Sequence, residues 1–313
     1  MKRFDYPQCF NAEEVALTEY NTGRQVTYGE LATSISEIHE MLQERAVATG
    51  ERILIMSNNP LNWASTLAGV VTYGATAVLV DSGFSAEQMN DIKTRSSIRL
   101  VLDGCHDLLG DEDVCETARQ RDYLDLTDDN ILVISYSCGK SGGISETKLS
   151  ANDFTHMVEQ AHQRYCKGSR SRNLSILMAS SQCGGATDVL TSLALGGSTT
   201  ILGHAYNSAL LLRCLKKSRP HIINMDATTA ESLIRTNILP RLNNAGRYGN
   251  INSSLTHRML LKQIRKEMMY ALGGCVQNVV VSGKRISPDI EQFLHKIRFP
   301  FTTTVQSSSV AIA

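Results

Sequence analysis

Ile131-Leu132-Val133-Ile134-Ser135-Tyr136-Ser137-Cys138-Gly139-Lys140-Ser141-Gly142-Gly143 carries the strongest strand signal in the chain, and a glycine-rich stretch follows it directly. The apolar, β-branched run fits a strand buried on both faces, the kind that fills a parallel sheet. The three glycines and the hydroxyls of Ser137 and Ser141 allow a tight loop whose backbone N–H groups can form an anion nest, with Lys140 adding charge. Phosphate binding and a plain flexible turn both fit these residues. The stretch is not a Walker A loop, because the first glycine of GxxxxGK would fall on Ile134. It formally satisfies GxSxG around Ser141, but a nucleophile elbow needs a helix at once after the serine, and Ile144–Leu149 continues in strand or turn chemistry. A hydrolase using Ser141 stays an alternative against that local pattern.

Working outward, strand and helix signals alternate. Upstream, Leu31, Ile35, Ile38, Met41 and Leu42 recur at helical spacing, followed by a strand at 52–56, a helix at 60–73 and a strand at 75–80. Ser85 caps a helix through Ile92, and 99–102 is a short strand. Residues 106–128 are acidic and poor in apolar side chains, a surface connection. Downstream, Ser150 or Asn152 opens a helix. Strands at 175–178, 199–202 and 221–224 then alternate with helices at about 186–195, 208–217 and 227–235. After a polar loop (243–256), a helix from about 257 to 270 leads to a strand at 278–282, and Pro288 starts a last helix. This alternation predicts an α/β protein: two similar layered α/β subdomains with mostly parallel sheets, 1–170 including the glycine-rich loop and 171–313. The end, Val310-Ala311-Ile312-Ala313, is apolar and has no closing helix.

Composition narrows the function classes. The 313 residues carry 31 basic and 31 acidic side chains, so no net basic surface argues for nucleic acid as a partner. No apolar run approaches the roughly 18 residues of a membrane span, and the N-terminus lacks the apolar core of a secretion signal. The eight cysteines are scattered without a CxxC pair, which fits reduced thiols and a cytoplasmic location. His156 and His162 lie six apart on a predicted helix, on different faces, so no metal site is expected there. Gln182-Cys183-Gly184-Gly185 reads as a strand-to-helix turn or a pocket lining. Ser282-Gly283-Lys284-Arg285 is electropositive at a strand end, a solvated loop or an anion-facing one. Met259, Leu260, Ile264, Met268 and Leu272 read as a core stripe at helical period.

The order of these pieces resembles the large N-terminal domain of the adenylate-forming (AMP-binding) synthetase superfamily, especially acyl-CoA synthetases of the long-chain branch. Val26-Thr27-Tyr28-Gly29-Glu30-Leu31 resembles the family's "TYxEL", Gly50-Glu51-Arg52-Ile53 its "GDRV", and Asn59 with Trp63 its "N…W". Gly74-Ala75 with Val80-Asp81, and Gly273-Gly274-Cys275 through Ser282-Gly283 to Ile286-Ser287-Pro288, continue the likeness over about residues 15–313. The resemblance implies a nucleotide site for ATP or AMP with magnesium, contributed by Ser137, Gly139, Lys140, Ser141, Gly142, Gln182, Gly283, Lys284 and Ser309. It implies an acyl acid or nucleotide as the small-molecule partner.

Departures from the family pattern bear on chemistry. Against "YTSGTTGxPKG", the Pro and Lys positions hold Ile144 and Ser145, and Glu146 follows, a carboxylate that would repel a triphosphate. Gln182 replaces a histidine. The "YGxTE" motif falls on Val305-Gln306-Ser307-Ser308-Ser309, without a carboxylate for magnesium. Acyl adenylation places charge on the phosphates in the transition state, and the matched cations are absent. The small C-terminal domain, with the catalytic lysine of adenylation, is expected to be missing. Three readings stay open: a synthetase-like N-terminal domain impaired in acyl adenylation; a divergent active AMP-forming acid–thiol ligase completed outside this chain or by a partner chain; and a non-catalytic ligand- or protein-binding module.

Overall fold

The computed structural model describes residues 11–80, 84–103, 130–138, 144–165, 170–176, 182–203, 207–240, 254–282, 285–304 and 310–312. Its strands are β1 (Val15–Glu19), β2 (Gln25–Thr27), β3 (Arg52–Met56), β4 (Thr76–Val80), β5 (Ile98–Asp103), β6 (Ile131–Cys138) and β7 (Ile144–Ser150). There follow β8 (Arg172–Ser175), β9 (Ser198–Ile201), β10 (Ile222–Asp226), β11 (Asn278–Ser282), β12 (Phe301–Thr304) and β13 (Val310–Ile312). They form two sheets, ordered β12-β11-β10-β8-β9-β1-β2 and β13-β7-β6-β4-β3-β5 among the described residues. All pairings are parallel except β1 with β2, β6 with β7 and β7 with β13. The α/β class with two mostly parallel sheets follows.

Helices fill the space between the sheets and cover both outer faces. One core joins α1 (Tyr28–Glu44), α2 (Pro60–Tyr73), α4 (Ala151–Tyr165) and α5 (Gln182–Ala194) to Leu17 and Ile201 of one sheet and to Ile53, Leu79 and Val133 of the other. On the outer face of the β4–β6 sheet, Ile92 of α3 (Ala86–Arg95) packs on Leu54, Val78, Ile134 and Tyr136. On the outer face of the other sheet lie α6 (Ser208–Ser218), α7 (Ala227–Leu233) with its π-helical extension Ile234–Ile238, α8 (Ser254–Ala271) and α9 (Pro288–Lys296).

Local chemistry fixes the ends of the central helices. Thr27 and Glu30 form a reciprocal capping box on α1, Thr27 N–H donating to Glu30 Oε2 at 2.6 Å. Asn59 caps α2 by accepting from the Leu61 and Asn62 amides, Pro60 starts the helix, and Gly74 ends it at φ 94°, a conformation glycine reaches without strain. Trp63, Leu67 and Val70 are fully buried, because α2 meets a layer on every side.

Several expectations are corrected. The strand expected at 175–178 runs from Arg172 to Ser175, and 177–178 lie outside the described residues. The polar loop ends earlier, since α8 begins at Ser254; 106–128 and 243–253 lie outside the described residues. The apolar end is a strand, β13, paired with β7. Ile264, Met268 and Leu272 are buried as read, but Met259 is 77% exposed. Five residues turn a helix by about 500°, which places Met259 some 140° from Ile264 and off the stripe. β1 and β2, from the start of the chain, join the sheet of the second half.

Candidate functional site

The glycine-rich segment closes a hairpin. β6 and β7 run antiparallel with Cys138 opposite Ile144, so 139–143 connect them. Gly139, Lys140, Ser141 and Gly142 lie outside the described residues, as do Gly283, Lys284 and Ser309. Their flanks are placed. A strand, not a helix, follows Ser141, so the context of a nucleophile elbow is not met.

The flanks converge from both sheets. β13 adds to the same hairpin, Val310 opposite Glu146 and Ile312 opposite Ile144. β10, β11 and β12 end in register, Asp226 beside Ser282 and Ser282 beside Thr304. Thr304 and Val310 are six residues apart, a reach of at most about 20 Å. The carboxyl edge of one sheet is therefore tied by a short stretch of chain to β13, which lies on β7 of the glycine hairpin in the other. β8 ends on the same edge, and Gln182 opens α5, which packs against β4 and β6 on one side and β8 and β9 on the other. Carboxyl ends of parallel strands are where α/β sheets bind ligands.

Side chains alternate across β6 and β7. Tyr136 belongs to the core under α3, so Ser137, half-buried and opposite Ser145, faces the inter-sheet side. Glu146 stands opposite Tyr136 and shares its outer face. Tyr136 Oη accepts from Ser96 Oγ at 2.8 Å and donates to Glu146 Oε2 at 2.8 Å; Lys148 Nζ lies 2.8 Å from Glu146 Oε1. Arg52 Nη1 donates to the Ser96 carbonyl at 2.9 Å. Burial works to raise the Glu146 pKa, but the hydrogen bonds of Lys148 and Tyr136 and the charges of Lys148 and Arg52 outweigh it and hold it below the ordinary value. Burial, with the neighbouring Glu146 charge, raises Tyr136. The Glu146 carboxylate is thus paired with Lys148 on the outer face, which offsets part of the repulsion expected of it.

Sequence reasoning missed Asp188. In the second turn of α5, it accepts from Ser175 Oγ, the fully buried end of β8, at 3.3 Å. Burial pushes its carboxyl well above the usual carboxylate range, the Ser175 hydrogen bond opposing. The available signal was an acid inside Gly184-Gly185-Ala186-Thr187-Asp188-Val189-Leu190, an otherwise uncharged helix opening. Ser135 Oγ, on the same side of β6 as Ser137, is buried without a hydrogen-bond partner among the described residues.

For metals, the described residues contain no group of three or more His, Cys, Asp or Glu able to hold an ion; His156 and His162 are both exposed on α4. Val305–Ser309 supply no carboxylate, and magnesium favours hard carboxylate and phosphate oxygens. The positions matched to the family's magnesium-holding motif, 305–309, lie outside the described residues and hold no carboxylate, so they offer no ligand of the kind that motif supplies. No described helix is long and apolar enough to cross a membrane.

Comparison with known proteins agrees with this fold. The profile of the family described as AMP-binding enzyme matches residues 8–306. Among solved structures, the Klebsiella oxytoca NpsA N-terminal subdomain is similar at TM-score 0.67 and 16% identity, over 96% of this chain and 73% of that one. The N-terminal domain of FACL13 from Mycobacterium tuberculosis, with inhibitor bound, is similar at TM-score 0.60 and 12% identity, over 93% and 71%. The o-succinylbenzoate CoA synthetase MenE from Bacillus subtilis, in complex with its acyl-adenylate intermediate, gives TM-score 0.66 and 13% identity, over 97% of this chain and 59% of that one. No curated protein sequence matches the chain.

Proposed function

We propose that this chain, which belongs to the AMP-binding enzyme family, is the nucleotide-holding N-terminal domain of an acyl-CoA-synthetase-like protein that has lost efficient acyl adenylation. The observation that supports it best is that β13 pairs on β7 of the glycine hairpin while β12, six residues earlier in the chain, ends level with β10 and β11 of the other sheet. Ser137, Gly139, Lys140, Ser141 and Gly142 would cradle phosphates at the hairpin, and Gln182, Gly283, Lys284 and Ser309 would line the nucleotide. A neighbour in fold, the MenE synthetase, holds AMP in one solved complex. The impairment follows from Ile144 and Ser145 in place of a proline and a lysine, and from the carboxylate-free 305–309. An acyl acid occupies the inter-sheet side next to α5. The two subdomains, 1–170 and 171–313, and a cytoplasmic location with reduced thiols belong to the same reading.

Calorimetry with AMP and with Mg·ATP, beside acid-dependent ATP–pyrophosphate exchange, tests it. The expected result is nucleotide binding weakened by Lys140→Ala, and no exchange with fatty or aryl acids. Robust exchange overturns the impairment; no heat with either nucleotide overturns the site.

One observation favours a second reading, a divergent active ligase completed by a further domain or chain. The Glu146–Lys148 pair on the outer face weakens one of the electrostatic objections to ATP. Exchange that appears only on adding the completing part would select it.

A further inference from the structure

On the outer face of the seven-stranded sheet, remote from the glycine hairpin, a groove of about 520 Å³ opens between α6, the π-helical extension of α7 and the C-terminal half of α8. That volume is within the range of small-ligand pockets, about 300–1,000 Å³. Its floor is apolar, with Ile238 and Met268 buried and Ala271 beside them. Its rim is cationic: Lys216 of α6 and Lys266 of α8 are both exposed, and neither takes part in an ion pair among the described residues. Glu267, half-buried, also lines the groove.

The charge around the groove is lopsided. The chain as a whole balances 31 cations against 31 anions. Yet α6 with its cap carries Arg213, Lys216, Lys217 and Arg219 without an acid. From residue 259 onward α8 carries Lys262, Arg265 and Lys266 against Glu267 alone. Tyr270, 74% exposed, walls the groove, and Met259, 77% exposed, lies three helical turns before it on the same face. Each of the other large exposed apolar side chains among the described residues is at most 39% exposed.

We propose that this groove binds a single-chain amphiphile with an anionic head, its chain on Ile238, Met268 and Ala271 and its head between Lys216 and Lys266. An apolar floor under two cations recognises both parts at once: burial drives the chain, and the charges orient the head. A second copy of this chain fits poorly, because two faces of this charge repel. An acidic protein helix needs a longer apolar trough than these few floor residues provide.

Monododecyl phosphate below its micelle concentration is the probe, because it has no carboxyl group and cannot be an acid substrate of the proposed nucleotide site. Calorimetry on the 313-residue chain is expected to show one site. Binding should weaken by about tenfold or more in K216E/K266E and in A271W, which fills the groove, and neutral dodecyl maltoside should bind at least about tenfold more weakly. Dodecanoate, run in parallel, distinguishes a carboxylate source from a phosphate one. Melting curves verify that the variants fold, and retained AMP binding separates this site from the nucleotide site. No heat, equal binding of the neutral detergent, or binding unchanged in both variants overturns the proposal. So does cosedimentation with phosphatidylglycerol vesicles, lost in K216E/K266E, if the monomeric probe does not bind, since the face would then dock on a bilayer.

Discussion

Tyr136 on β6 donates a 2.8 Å hydrogen bond to Glu146, its direct cross-strand partner on β7, at the base of the glycine hairpin. The same hydroxyl accepts from Ser96 Oγ, whose residue is 1% exposed. Tyr136→Phe keeps the ring in the α3 core but strands a buried serine hydroxyl and removes one support of the carboxylate. Leaving a buried polar group unpaired costs about 1–3 kcal/mol. Urea unfolding is expected to show a loss of that order, and AMP affinity should fall too if the hairpin base sets the loop; an unchanged midpoint refutes the structural role.

Lys148 controls how Glu146 titrates. Its bond and charge help hold the Glu146 pKa below the ordinary carboxylate value. A depressed acid stabilises the fold above its unfolded value, about pH 4, and that stability is lost as pH falls through the folded value. Lys148→Ala is expected to flatten this acid-side loss and to cost well under about 1 kcal/mol at neutral pH, because the lysine is half exposed. Melting temperatures of both proteins from pH 3 to 7 decide it; parallel curves would show that Lys148 does not set the titration.

Much of the fold is legible because its signals are local. Ser85 with Gln88, and Thr27 with Glu30, announce helix starts by side-chain chemistry within four residues, and both capping boxes form. The run 131–136 reads as a buried strand and is one. β13 was not legible: Val310-Ala311-Ile312 is a strand because β7, more than 150 residues earlier in the chain, offers an open edge. β1 is likewise a strand by virtue of β9, and β2 by virtue of β1. The Glu146 pairing was half legible. The residues two apart on a strand suggest Lys148 as a partner, but the hydroxyl of Tyr136 needs the cross-strand register, which the sequence does not print. Asp188 was missed because its environment comes from β8, not from its own helix.

Asp188 predicts the opposite pH response to Glu146. Its folded-state pKa is raised by burial. Such a group favours the fold while protonated, and its contribution is fully present below the unfolded value, about pH 4, and declines as pH rises toward the folded one. Asp188→Asn stays neutral and keeps an oxygen to accept from Ser175. The variant should therefore gain stability over the parent as pH rises from 5 to 8. A constant difference across that range would mean that the carboxyl does not titrate with folding.

Gly69 of α2 lies directly against Ile38 of α1. A methyl group there would meet Ile38 Cδ1 and Cγ2 at 2.8 Å. Two effects oppose each other in Gly69→Ala: helix propensity favours alanine by about 1 kcal/mol, and overpacking a well-filled core costs about 1–3 kcal/mol. Ile38 is 1% exposed and held on both sides, so it has little room to yield and the clash should win. Net destabilisation of about 1–2 kcal/mol is expected in urea unfolding. Shortening the neighbour supplies the control. Ile38→Val in the Gly69→Ala background removes the terminal methyl, one of the two contacts at 2.8 Å, and should recover part of the loss, although the same change alone in the parent costs about 0.5–1.5 kcal/mol. Additive losses in the double variant would mean that the two helices separate freely, and that the glycine is not what holds them close.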